Sequence, residues 1–130
     1  MGEYDNFYVH FNGDDIFLDW DNTIKPFIER NYKDKIISVH SNGVLLSPER
    51  MDFLKQHNVR ILLSLDGPQE VQDINRCFKN GKSSFDFVYS RLQALKEKEN
   101  KMTVVATFDK NSIEYLPFSY SFLMNEQVPF

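Results

Sequence analysis

Four short runs along the chain alternate apolar with polar side chains, the period expected of strands. Three of them close on a polar residue followed by glycine: Phe7 to Gly13 (FYVHFNG), Ile36 to Gly43 (IISVHSNG) and Arg60 to Gly67 (RILLSLDG). The fourth, Met102 to Asp109 (MTVVATFD), ends in Asp without the glycine. Between them the apolar spacing becomes helical. Ile24, Phe27, Ile28 and Tyr32 recur behind Asp21 as a cap, with Pro26 tolerable near the first turn. Ser47 and Pro48 form a cap and first-turn pair for a second helix through Phe53 and Leu54. Ser84 opens a third and longest one, on which Phe85, Val88, Leu92 and Leu95 make one stripe. A last helical or irregular stretch runs from about Ser112 towards Met124, interrupted near Pro117.

Strands alternating with helices predict βαβ units and a parallel sheet, and no linker divides residues 1–130 into two domains. One strand face is apolar throughout: Phe7, Val9 and Phe11; Ile37 and Val39; Ile61, Leu63 and Leu65; Val104, Ala106 and Phe108. The other grows polar towards the carboxyl ends, through His10, Asn12, Ser38, His40, Asn42, Ser64, Asp66, Thr107 and Asp109. A sheet covered by helices on both sides needs two apolar faces, whereas a barrel can line its inner mouth with polar groups. The expected architecture is therefore α/β, a partial (β/α) barrel of about four parallel units. Ligands in such folds sit at the carboxyl ends of the strands, where Asn12, Asn42, Ser64 and Asp66 fall. Asn-Gly and Asp-Gly are also good turn formers, so each of these positions has a purely structural reading as well.

With 42% hydrophobic residues and 12 Phe and 6 Tyr among its 130, the chain carries enough apolar bulk for a packed core. Its net charge of -4 and dispersed Lys and Arg give no electrostatic reason to expect nucleic acid. No run is long and apolar enough for a membrane span and the N-terminus lacks a signal-peptide pattern, so a cytoplasmic location is expected. Cys77 is the one cysteine, and the expectation for it is a partly buried small apolar residue.

Several segments resemble radical S-adenosylmethionine enzymes of the peptide-maturing branch with SPASM-type C-terminal domains. The clearest stretch is Ser64 to Arg76 (SLDGPQEVQDINR) with Asn80 to Val88 (NGKSSFDFV), similar to that family's strand ending SLDGP and its NGxxSF entry to the next helix. Ser41 to Gly43 (SNG) resembles the TNG strand end of the preceding unit, and Asn12 to Asp15 (NGDD) stands where the GGEP motif follows the second strand. The resemblance implies a partial barrel holding S-adenosylmethionine against a 4Fe-4S cluster. Gly13 and Asp14 would then face the methionine amino group, with Asn42, Ser64 and Arg76 near its carboxylate and ribose. An arginine suits a carboxylate because its planar fork of donors matches two oxygens. Arg76 also reads as a surface arginine paired with Asp73.

The departures shape the functional expectation. The family's CxxxCxxC loop precedes the GGEP strand, and no cysteine precedes Phe7 here; an open-site cluster needs three thiolates. Asn12 replaces the first glycine of GGEP and Asp15 its proline. The expectation is a truncated peptide-maturase-like domain, catalytically inactive alone. One alternative is a binding module for S-adenosylmethionine or a peptide, working with a partner subunit. Another is a metal-dependent hydrolase using His10, His40 and Asp66, since the two histidines occupy equivalent places before their glycines. Four units make about half of a barrel of about 250 residues, so open edges predict self-association or a partner. Asp14 with Asp15, Asp19 with Asp21, and the run Lys96 to Lys101 read as solvated charge. Tyr115 to Phe122 reads as the inner face of a last helix left partly exposed.

Overall fold

The computed structural model describes residues 8–13 and 16–130. Phe7, Asp14 and Asp15 lie outside the described residues. Four strands form one sheet: β1 (Tyr8–Phe11), β2 (Ile36–Ser41), β3 (Arg60–Ser64) and β4 (Met102–Val105). Their spatial order is their chain order, and every pair is parallel. A doubly wound sheet reverses its order at a switch point; an unreversed parallel series is the arrangement of a (β/α) barrel wall. The helices are α1 (Lys25–Asn31), α2 (Pro48–Gln56), α3 (Gln69–Asn75), α4 (Phe85–Glu97) and α5 (Leu116–Glu126).

The apolar strand face carries the core. Ile37, Val39, Ile61, Leu63, Leu65, Met102 and Val104 are buried against Ile28, Leu46, Met51, Leu54, Val88, Leu92, Leu95 and Leu123. Each fully buried Leu or Ile of this set contributes about 1.5–3 kcal/mol relative to exposure. On the other face Tyr8 and His10 are exposed and His40 is half-buried. One face is thus closed by helices while the polar one stays accessible.

Local structure departs from the sequence reading in four places, each for a physical reason. Helical winding begins before α1, with a 3-10 turn at Ile16–Asp19 and a π turn at Trp20–Ile24, so Asp21 lies inside a turn and caps nothing. Burial of Ile16, Phe17 and Trp20, with Trp20 edge-on to Phe53 at 5.3 Å between centroids, explains the earlier start. An additional helix, α3, follows Pro68. Pro117 does not interrupt the last helix; it occupies the first turn of α5, where its missing N–H costs nothing. Ser47 does cap α2, accepting from Arg50 N–H at 3.3 Å, but Ser84 makes no such bond and its hydroxyl is engaged elsewhere.

Two strand-end glycines are required by geometry. Gly43 has φ +90, a conformation other residues rarely adopt, and a Cβ there would stand 3.3 Å from Leu63. A Cβ at Gly67 would collide with the side chain of Ser119, so the SLDG turn lets α5 approach β3 closely. At the β4 edge the chain's own end lies alongside, with Val104 N–H donating to Pro129 C=O at 2.7 Å.

Candidate functional site

On the polar face of the sheet the side chains form two linked groups. In the first, the Ser38 hydroxyl lies 2.6 Å from both Tyr8 Oη and His10 Nδ1. In the second, His40 Nε2 lies 2.6 Å from the hydroxyl of Ser64. The rings of His10 and His40 stand 6.2 Å apart, tilted by 45°. Parallel register explains the adjacency: His10 aligns with Ser38 and His40 with Leu62, so side chains of one parity share a face. Burial, followed by the positive potential of His10 and then of Arg76, holds His40 below its ordinary pKa of 6.5. His40 is therefore neutral at pH 7.

Beyond β3, Asp66 is 2% exposed and both carboxylate oxygens are engaged. Arg76 Nε donates to Oδ2 at 2.9 Å and Thr107 N–H to Oδ1 at 2.9 Å. A buried carboxylate needs such partners, because an uncompensated charge in the interior is strongly unfavourable. Gln72 completes the scaffold: its Oε1 accepts from Asp66 N–H at 2.9 Å and its Nε2 donates to Ser84 Oγ at 3.2 Å. Ser84 in turn donates to Arg76 C=O at 2.5 Å, which fixes both ends of Arg76. Among the described residues the terminal guanidinium nitrogens of Arg76 meet no acceptor.

The expected binding residues are partly gathered. Asn42 and Arg76 line one cavity of about 190 Å³ with Gln72, Cys77, Ser84 and others. Ser64 is not among the lining residues; it is buried, with its hydroxyl bonded to His40. Asn42 spends its Oδ1 on Val44 N–H at 2.9 Å, the turn-forming role. Gly13 is exposed and its N–H bonds to Asn12 Oδ1 at 2.9 Å; Asp14 lies outside the described residues.

Three partner assignments need correction. Arg76 pairs with Asp66 and not Asp73, because it is the C-cap of α3 and its side chain turns back to β3. Asp66 is committed to Arg76 and Thr107, and the histidines to serines. Among the described residues no group of three His, Cys, Asp or Glu is placed to hold a metal, so His10, His40 and Asp66 form no such site. Cys77 is exposed, its thiol directed at Asp73 C=O at 3.3 Å, since it follows the helix end in an open loop. Gln72 was not legible as a scaffold residue, and the apolar cavity of about 430 Å³ between β4 and α5, lined by Val105, Ala106, Leu116 and Tyr120, was not foreseen as a cavity.

These residues do not suit an iron–sulfur cluster. Three thiolates are needed, and the one cysteine among the 130 residues stands alone on the surface. They do suit an amino-acid carboxylate, for which a held guanidinium with free terminal donors is the right chemistry.

The model of the radical SAM superfamily matches residues 4–119, and the chain belongs to that superfamily. It is 25% identical over 118 residues to a cysteine-type anaerobic sulfatase-maturating enzyme of Clostridium novyi (strain NT), covering 91% of this chain and 31% of the relative. It is 33% identical over 84 residues to a serine-type anaerobic sulfatase-maturating enzyme of Bacteroides thetaiotaomicron, covering 65% of this chain and 20% of the relative. In fold it matches native anSMEcpe with bound AdoMet and Kp18Cys peptide, with a TM-score of 0.86 at 20% identity over 97% of this chain and 36% of that one. The α/β architecture is that of the (β/α) barrel of these neighbours, and the chain spans about a third or less of the relatives it matches. Among the described residues no helix is long and apolar enough to cross a membrane.

Proposed function

We propose that these residues form the S-adenosylmethionine-binding part of a peptide-modifying radical SAM enzyme, and that the 130 residues alone bind the cofactor without turning it over. The observation that carries this reading is Arg76, held through Nε by a buried carboxylate with its terminal donors free and near enough to His40 to lower its pKa, while His40 holds the Ser64 hydroxyl at the end of β3. That combination accepts a carboxylate bidentately and adds a hydrogen bond that fixes its orientation. Family membership and a fold neighbour containing AdoMet support the ligand, and the peptide in that neighbour supports a peptide as substrate. Bound with a reduced cluster, the cofactor supplies radical chemistry in this superfamily; within these 130 residues the single exposed Cys77 offers no such cluster a site.

The test is calorimetric titration of the purified chain with S-adenosylmethionine, with Arg76→Lys as control. Lysine keeps the charge but loses the fork, so the expected result is saturable binding weakened about tenfold or more in the variant. Folded protein that gives no heat with S-adenosylmethionine overturns the reading.

A further inference from the structure

The Ser64 hydroxyl carries one proton, and the group 2.6 Å from it decides where that proton points. If His40 Nε2 accepts, the proton is spent inside the protein and Ser64 offers a ligand only lone pairs. If Nε2 carries hydrogen and donates, Ser64 is free to donate outward. The neutral imidazole has one N–H, so the two cases are its two tautomers. The surroundings favour the second when an anion is present, because the guanidinium of Arg76 places positive potential here. Among the described residues His40 Nδ1 has no partner to hold the hydrogen on that side.

We propose that His40 is a positioning residue which, by donating from Nε2 to Ser64, makes the serine hydroxyl an obligate donor to the carboxylate of an amino-acid ligand. The inference rests on the binding proposed above and deepens it: it names the ligand group that the β2–β3 pair selects. Nothing in the separate sequences of β2 and β3 links these residues, which are 24 positions apart. The parallel pairing of the two strands brings them together.

The experiment uses the full chain, S-adenosylmethionine and its decarboxylated analogue. Titration calorimetry is run on the native chain, His40→Phe, His40→Gln and Ser64→Ala, with circular dichroism confirming that each is folded. Phenylalanine removes the donor, and glutamine supplies an amide N–H in its place. The expected result is a loss of about tenfold for S-adenosylmethionine in His40→Phe, the scale of one hydrogen bond to a charged group. His40→Gln retains most of the affinity, and Ser64→Ala combined with His40→Phe loses no more than either alone. The decarboxylated analogue binds the native chain and His40→Phe equally. Nitrogen NMR of the His40 ring gives the independent signature, a shift to the Nε2–H form on binding S-adenosylmethionine. Equal affinity of His40→Phe and the native chain, or a ring that stays Nδ1–H, overturns the inference while leaving cofactor binding intact. Absence of binding to the native chain overturns both, and the two failures are thereby distinguished.

Discussion

Arg76 and Asp66, ten residues apart, close the loop around α3 with a bond of 2.9 Å between Nε and Oδ2. The carboxylate is buried while the arginine side chain is 28% exposed, so the pair presents its cationic half outward. Removing the arginine leaves Asp66 with only Thr107 N–H. We expect Arg76→Ala to destabilise the fold by about 3 kcal/mol, the scale for stranding a buried charge. Urea denaturation measures it, and a cost below about 1 kcal/mol would mean that water replaces the guanidinium freely.

The lowered pKa of His40 gives a pH dependence of definite sign. In the unfolded chain the ring titrates at its ordinary value of 6.5, and in the folded chain lower, so between those values the unfolded state binds more protons. His40 therefore contributes stability that is complete above pH 6.5 and falls away as pH drops through that window. Denaturation of the native chain and His40→Gln at pH 7 and pH 5 should show the native chain losing more on acidification. Identical losses would show that His40 carries no linked proton.

Gly67→Ala is expected to cost about 1–3 kcal/mol or more through overpacking against Ser119. Ser119→Gly in the same chain should recover part of this, because the obstructing atoms are its side chain. Thermal melts of the three variants check the pair; a harmless Gly67→Ala would mean that α5 moves away without penalty.

Deleting residues 128–130 removes the carbonyl that Val104 N–H donates to and the buried side chain of Val128. The expected result is concentration-dependent association in light scattering, because a bared strand edge pairs with other chains. An unchanged monomer fraction would show that the end of the chain does not protect the edge.

Much of the architecture was legible because the apolar face of each strand is continuous in the sequence. All four runs became strands, and Val88, Leu92 and Leu95 became the buried stripe of α4. What escaped was held by residues that hide their role. Helix α3 buries Val71 and Gln72 over seven residues, too short and too polar for a stripe to stand out. Arg76 is the C-cap of α3, just past the helix that carries Asp73, and its side chain pairs with Asp66 instead. Ser64 and Arg76 were singled out by motif, but the links of Ser64 to His40 and of Arg76 to Asp66 arise only when strands and loops come together.

The unreversed order of β1 to β4 also bears on how the molecule forms. Each new strand docks on the one made just before it, as Tyr8 meets Ile36 and Ile61 meets Met102. Loop-closure entropy grows only slowly with length, so every closure of this kind has a similar modest cost. A chain emerging from the ribosome can add one strand and one helix at a time to a growing edge, and each of these four strands after the first pairs with the one made just before it.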